Sequence, residues 1–252
     1  MTLLEAVQIL AAGVAAGAIN TLVGSGTLIT FPVLLALGYP PVVANASNTV
    51  GLVPGSVAGA WAYRAELATQ KHLLLRLGTT ALLGGITGAV LLLVLPAEAF
   101  SAIVPVLIVL ALILVVLQPW LSRKLRERQA LPADSTRSQL LLTLGIFATS
   151  IYGGYFGAAQ GVLLLGILGL LVPATLQQLN GVKNVFAGLV NAVAAVIFIV
   201  AGTVSWAPAA LIAAGSITGS LVAGRYGRRL PDPALRAVIV VVGLTAVVRM
   251  LA

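Results

Sequence analysis

Asn20-Thr-Leu-Val-Gly-Ser-Gly-Thr27 and Gly153-Gly-Tyr-Phe-Gly-Ala-Ala-Gln-Gly161 each interrupt a long apolar run at its middle, about 133 residues apart. Paired interruptions at matching places in two halves of a hydrophobic chain are the sequence mark of a transporter's binding site. A helix broken inside a membrane exposes backbone dipoles that a substrate can use. The surrounding composition places these breaks in lipid: 60% of the 252 residues are hydrophobic, 8% are charged and the mean hydropathy is +1.12. Soluble domains carry charge on about a quarter of their residues. The apolar stretches reach the 18 or so residues that a helix needs to cross about 30 Å of hydrocarbon. Strands of about 10 alternating residues, the mark of a membrane barrel, are not seen.

Between breakers the apolar segments are 3–20, 26–37, 42–63, 73–95, 99–121, 139–152, 158–172, 174–201, 206–223 and 234–251. As helices, 26–37 and 139–152 reach only about 18 and 21 Å. The first two segments, and the sixth and seventh, are therefore expected to be hairpins that enter the membrane and turn back. Met1-Thr-Leu-Leu-Glu5 carries an acid and no base where a secretory leader carries positive charge, so the first run is expected to be retained.

Twelve of the 14 Lys and Arg residues fall into three clusters: Arg64, Lys71 and Arg76; Arg123, Lys124, Arg126, Arg128 and Arg137; Arg225, Arg228, Arg229 and Arg236. The positive-inside rule makes those loops cytoplasmic and accounts for a pI near 10.6 without nucleic acid. The base-free connections near Glu98 and Gly202 then face outward, both termini lie outside, and Arg249 is a mild exception. The connection after the third segment is inside, whereas its counterpart near Thr203 is outside. The halves are therefore expected to be inverted copies. Asn45-Ala-Ser-Asn-Thr-Val50 aligns with Asn180-Gly-Val-Lys-Asn-Val185 at an offset of 135, and the Leu37-Gly-Tyr-Pro-Pro41 turn is echoed by Leu170-Leu-Val-Pro173. The expected fold is thus an all-α polytopic membrane protein. Residues 1–122 form a first inverted repeat, 123–138 a basic cytoplasmic loop and 139–252 a second repeat, each repeat a broken-helix hairpin plus three transmembrane helices.

Chemistry is restricted by what is missing. With no cysteine, thiolate metal sites and cysteine nucleophiles are excluded; the single histidine, His72, sits among loop charges, and no metal or cofactor is implied. A helix that starts inside the membrane points unpaired N–H groups and about half a positive charge at whatever lies ahead of it. Gly24, Ser25, Gly26 and Thr27 would open one half-helix, and Gly157, Ala158, Ala159, Gln160 and Gly161 the other. Inverted symmetry brings the two tips together as a site for an anion. Asn20 closes the first apolar run beside its tip. Asn45, Asn48 and Thr49 share a face at helical spacing, as do Asn180, Lys183 and Asn184. Lys183 is the one charge well inside an apolar segment; it either faces the site or snorkels to the interface. Trp61, Tyr63, Trp120 and Trp206 sit at span ends, as an interfacial belt requires.

At these residues the chain resembles the sulfite exporter TauE/SafE family. The resemblance is carried by Val23-Gly-Ser-Gly-Thr27, by Phe31-Pro-Val-Leu-Leu-Ala-Leu-Gly-Tyr-Pro40 leading to Ala44-Asn-Ala-Ser-Asn48, by Leu179-Asn-Gly-Val-Lys-Asn184 and by Arg225-Tyr-Gly-Arg-Arg-Leu-Pro231. It implies export of sulfite, sulfonates such as sulfoacetate, or related small sulfur-containing anions across the bacterial inner membrane. Many members have a fuller glycine run than this chain, where Ser25, Thr27, Ala158, Ala159 and Gln160 intervene. The expected partners are that anion and the lipid bilayer, with a homo-oligomer compatible. An anion channel, a membrane scaffold subunit and an intramembrane enzyme are the alternatives; the last needs a nucleophile with a base, which Ser25 lacks.

Overall fold

The computed structural model describes residues 1–127, 135–226 and 232–251. Arg128 and Pro132 of the basic segment, and Gly227 to Pro231 of the last motif, lie outside them. The described chain is all helix and turn, without strands: α1 (Leu3–Leu22), α2 (Thr27–Ala36), α3 (Pro41–Ala62), α4 (Arg64–Leu67), α5 (Lys71–Val94), α6 (Ala97–Glu127), α7 (Thr136–Tyr155), α8 (Gln160–Leu171), α9 (Leu176–Val200), α10 (Trp206–Tyr226) and α11 (Asp232–Leu251). Among the described residues α1, α5, the first 24 residues of α6, α9 and α10 are long and apolar enough to cross a membrane. The chain is a polytopic α-helical membrane protein.

Helix starts are written locally. Thr2 and Glu5 form a capping box on α1, Thr175 and Gln178 form another on α9, and the Ser135 hydroxyl accepts from the Ser138 N–H at the start of α7. That last cap corrects one expectation. The polar residues Thr136 to Ser138 begin α7 instead of preceding it, so α7 runs 20 residues to Tyr155, about 30 Å, where 14 were expected. The basic segment is likewise helical at both ends, because α6 continues to Glu127.

Both expected hairpins are present. The start of α2 lies against Ala16 and Asn20 of α1, and Gly26 leaves no room there for a side chain. Along α7 and α8, Gly153 faces Gln160 and Gly145 faces Ile167, the register of an antiparallel pair.

The halves interlock instead of standing side by side. Helix α10 packs between α1 and α3, while α5 packs between α7 and α9; α2 meets α11, and α8 meets α6. Exchanging α1 with α7, α2 with α8, α3 with α9, α5 with α10 and α6 with α11 maps these contacts onto one another. Lipid provides no hydrophobic drive for helix association, so close backbone approach and interhelical hydrogen bonds must supply it. Gly13 and Gly17 of α1 meet Ile212, Gly215 and Ser216 of α10, and Gly84 and Gly88 of α5 meet Phe147, Ser150, Ile151 and Tyr155 of α7. The Ser216 and Ser220 hydroxyls of α10 donate to Gly51 O at 2.9 Å and Gly17 O at 3.1 Å. Trp61 and Trp206 are exposed at helix ends and Trp120 where the apolar stretch of α6 stops, as a belt requires. Tyr63 is instead buried, with Gly181 of α9 packed against its Cβ.

Candidate functional site

The two breaks use one local construction. After α1, the Val23 and Gly24 N–H groups both donate to Ile19 O, at 2.7 and 3.0 Å. After α7, the Phe156 and Gly157 N–H groups both donate to Tyr152 O, at 2.9 and 3.0 Å. The glycine in each case takes the left-handed conformation, φ +87° at Gly24 and +76° at Gly157, which reverses the chain where a Cβ would be strained. In the second break Ala159 also lies at φ +58°, just before α8, and the Tyr152 hydroxyl donates to Ala158 O at 2.6 Å.

Each returning helix opens with unpaired donors. Among the described residues the N–H groups of Ser25, Gly26 and Thr27, and of Ala158 and Ala159, have no backbone acceptor. Asn48 braces the first tip: its Nδ2 donates to Thr27 Oγ1 at 3.2 Å, and its Oδ1 accepts from Thr30 Oγ1. Since all three side chains are buried, Asn48→Ala removes the partner of Thr27 Oγ1 and leaves Thr30 Oγ1 with only Gly26 O, at 3.4 Å. It is expected to cost about 1–3 kcal/mol and to lower the melting temperature of detergent-solubilised protein.

The tips meet. The Gly161 N–H, in the first turn of α8, donates to Gly24 O at 3.0 Å, and neither glycine leaves space for a Cβ against the other. Lys183 passes through the same place: a Cβ on Gly161 would fall 3.0 Å from its Cδ. Its ammonium donates to Asn20 O at 3.2 Å and Thr21 O at 2.9 Å, and Asn184 Nδ2 donates to Thr21 O at 3.3 Å. At the end of α7, Asn45 Nδ2 donates to Tyr155 O at 3.0 Å. Each broken helix therefore has its C-terminal carbonyls held by the third helix of the opposite half.

Buried polar atoms without a partner among the described residues include Ser25 Oγ and Gln160 Nε2 at the two tips, Asn45 Oδ1 and Tyr155 OH beside the end of α7, and Asn180 Oδ1 on α9. Burying such a group unpaired costs about 1–3 kcal/mol. Phe31, Phe100, Phe156 and Tyr155 close one side of the junction with edge-to-face contacts at 5.2–6.5 Å between ring centroids. At the far end of α8, His72, Arg76, Ser138, Gln139 and residues 171–173 line an open cleft of about 170 Å³.

Residues 9–250 match the family described as sulfite exporter TauE/SafE. The chain belongs to that family. Curated relatives carry the same general assignment. The "Probable membrane transporter protein ORF9" of a Sinorhizobium species is 28% identical over 94% of this chain and 88% of its own length. The "Probable membrane transporter protein YfcA" of Escherichia coli K12 is 27% identical over 90% and 82%. A "Probable membrane transporter protein" of Haemophilus influenzae is 22% identical over 94% and 91%. No solved structure matches the chain. TauE/SafE membership makes this protein a membrane transporter.

In this TauE/SafE protein the junction gathers Asn20, Gly24, Ser25, Gly26, Thr27, Asn48, Gly157, Gln160, Lys183 and Asn184 through the contacts above, and Asn45 through Tyr155. Thr49 and Asn180 are buried on the same helices, α3 and α9. Lys183 does not snorkel: it is 0% exposed and spends its donors on backbone. Among the described residues no group of His, Asp or Glu side chains is placed to hold a metal. One internal match went unread in the sequence. Gly84-Gly-Ile-Thr-Gly88 on α5 and Gly215-Ser-Ile-Thr-Gly219 on α10 are the same motif 131 residues apart, on helices with exchanged places in the packing.

Proposed function

We propose that this chain is a secondary transporter that exports small sulfur-containing anions, such as sulfite or sulfonates of the sulfoacetate type, from the bacterial cytoplasm. The anion binds between the N-termini of α2 and α8 near the membrane midplane, and access alternates as two inverted halves rock about it. The observation that carries this reading is the meeting of two helix N-termini around buried, unpaired polar groups, since helix starts favour negative charge. The shared construction of the breaks and the exchanged packing support the inverted relation. Both termini lie outside in this orientation. The cleft with His72 and Arg76 then opens to the cytoplasm, about 18 Å along α8 from the tip, and the Arg76 guanidinium raises the local anion concentration.

Gln160→Leu keeps the bulk over Gly153 but removes the free amide donor from the tip. In liposomes containing purified protein, wild-type flux of sulfite or sulfoacetate is expected to saturate, and Gln160→Leu to raise the half-saturating concentration about tenfold, the loss of one charged hydrogen bond. Flux that rises linearly without saturation would reassign the chain to the channel reading. No flux of either anion under any imposed gradient sinks the proposal.

A further inference from the structure

A helix that stops inside hydrocarbon leaves its last carbonyls unpaired and about half a negative charge at its end. In transporters with broken helices, ends of this kind coordinate a dissolved cation such as Na⁺. The end of α1 fits that description, and the structure fills it from within. Ile19 O is satisfied by Val23 and Gly24, while Asn20 O and Thr21 O receive the Lys183 ammonium. No buried Asp or Glu among the described residues balances this charge. The counter-charge is the helix end itself. The matching end of α7 has the same turn but no lysine: Tyr155 O receives the neutral Asn45 amide.

We infer that Lys183 is a tethered cation, an ammonium carried on α9 that permanently occupies the carbonyl site at the end of α1 where a broken-helix transporter would otherwise bind a monovalent ion. Its stem passes Gly161, so one residue closes the C-terminus of one broken helix and lies against the N-terminus of the other. The site needs no ion from solution while Lys183 is present, and shortening the side chain opens it. What this does for anion transport rests on the function proposed above; the occupancy of the carbonyl site does not.

The test is the melting temperature of the purified full-length protein in choline chloride, sodium chloride and n-propylammonium chloride. Wild type is expected to melt at the same temperature in all three. Lys183→Ala, which vacates both the ammonium position and most of the stem, is expected to melt lower in choline and to regain at least half of the loss in propylammonium. Lys183→Met keeps the stem volume without the charge. It is expected to melt below wild type and to gain nothing from propylammonium, because its own methyl group blocks the space. A Lys183→Ala protein depressed equally in all three salts, or a Lys183→Met protein that melts with wild type, overturns the inference. If Lys183→Ala cannot be purified folded, the Lys183→Met comparison decides alone. A wild type that moves no anion would sink the transport proposal and leave these melting results standing.

Discussion

Gly24→Ala is expected to abolish anion flux and to destabilise the protein by about 3 kcal/mol or more. Two independent causes act at this residue. The left-handed backbone at φ +87° costs an L side chain about 1–2 kcal/mol. The new Cβ would also stand 2.9 Å from the Gly161 carbonyl carbon and 3.1 Å from its nitrogen, both backbone atoms that cannot rotate away. Overpacking of that kind costs about 1–3 kcal/mol, and relieving it means separating the tips and breaking the Gly161 N–H to Gly24 O bond. Gly38→Ala isolates the first cause, because Gly38 sits at φ +83° with nothing within 4 Å of an added Cβ. The expected result is a modest drop in melting temperature with flux retained for Gly38→Ala, against loss of flux for Gly24→Ala. Equal effects would show that the tips do not touch.

Gly219→Val is expected to prevent recovery of folded protein. A Cβ at Gly219 would lie 2.8 Å from the Val14 carbonyl carbon and 2.9 Å from the Ala18 nitrogen, so any side chain forces α10 off α1. The backbone contact and the Ser220 hydrogen bond to Gly17 O then fail together, and with them the attachment of α1 to its neighbour. Gly88→Val attacks the equivalent contact of α5 on α7, with a Cβ 2.7 Å from the Tyr155 nitrogen, and is expected to be as severe. Gly78→Val on the same helix is the control: its Cβ meets only a Leu189 methyl at 3.9 Å. Gel filtration of solubilised protein is expected to give a single monodisperse species for Gly78→Val and aggregate for the other two. A monodisperse Gly219→Val protein would refute the close packing of α1 on α10.

Much of this architecture was legible because hydropathy and glycine placement report directly on helices and breaks. Ten of the eleven helices among the described residues lie over the apolar segments, although α7 is longer than the short segment that suggested a hairpin there. The two glycine tips, expected to come together, do meet at Gly24 and Gly161. The short helix α4 was missed because its polar residues look like any loop. The length of α7 was underestimated for a related reason: hydropathy fades at Thr136 to Ser138, whereas the Ser135 cap keeps the backbone helical. Tyr63 reads as interfacial from its place at a span end, yet α4 and α9 cover it, a contact that no local pattern encodes. Lys183 was the hardest residue to read. Its partners are two main-chain carbonyls more than 160 positions away, and a carbonyl has no signature in a sequence. The α5 and α10 motif is short and lies away from the breaks, on helices without the polar faces that mark α3 and α9.

The crosswise placement of α1 on α10 has a consequence for how the chain is made. Helix α1 leaves the ribosome with its glycine face bare, and its partner begins only at Trp206. At about 5–20 residues per second, roughly 10–40 s of synthesis separate the two. For most of that interval α1 lies in the bilayer with lipid, α2 and α3 against it, joined by α9 only near its end. Insertion and tertiary packing are thus separate stages in time for this protein, and a newly made α1 waits, unfinished, for α10 to be made.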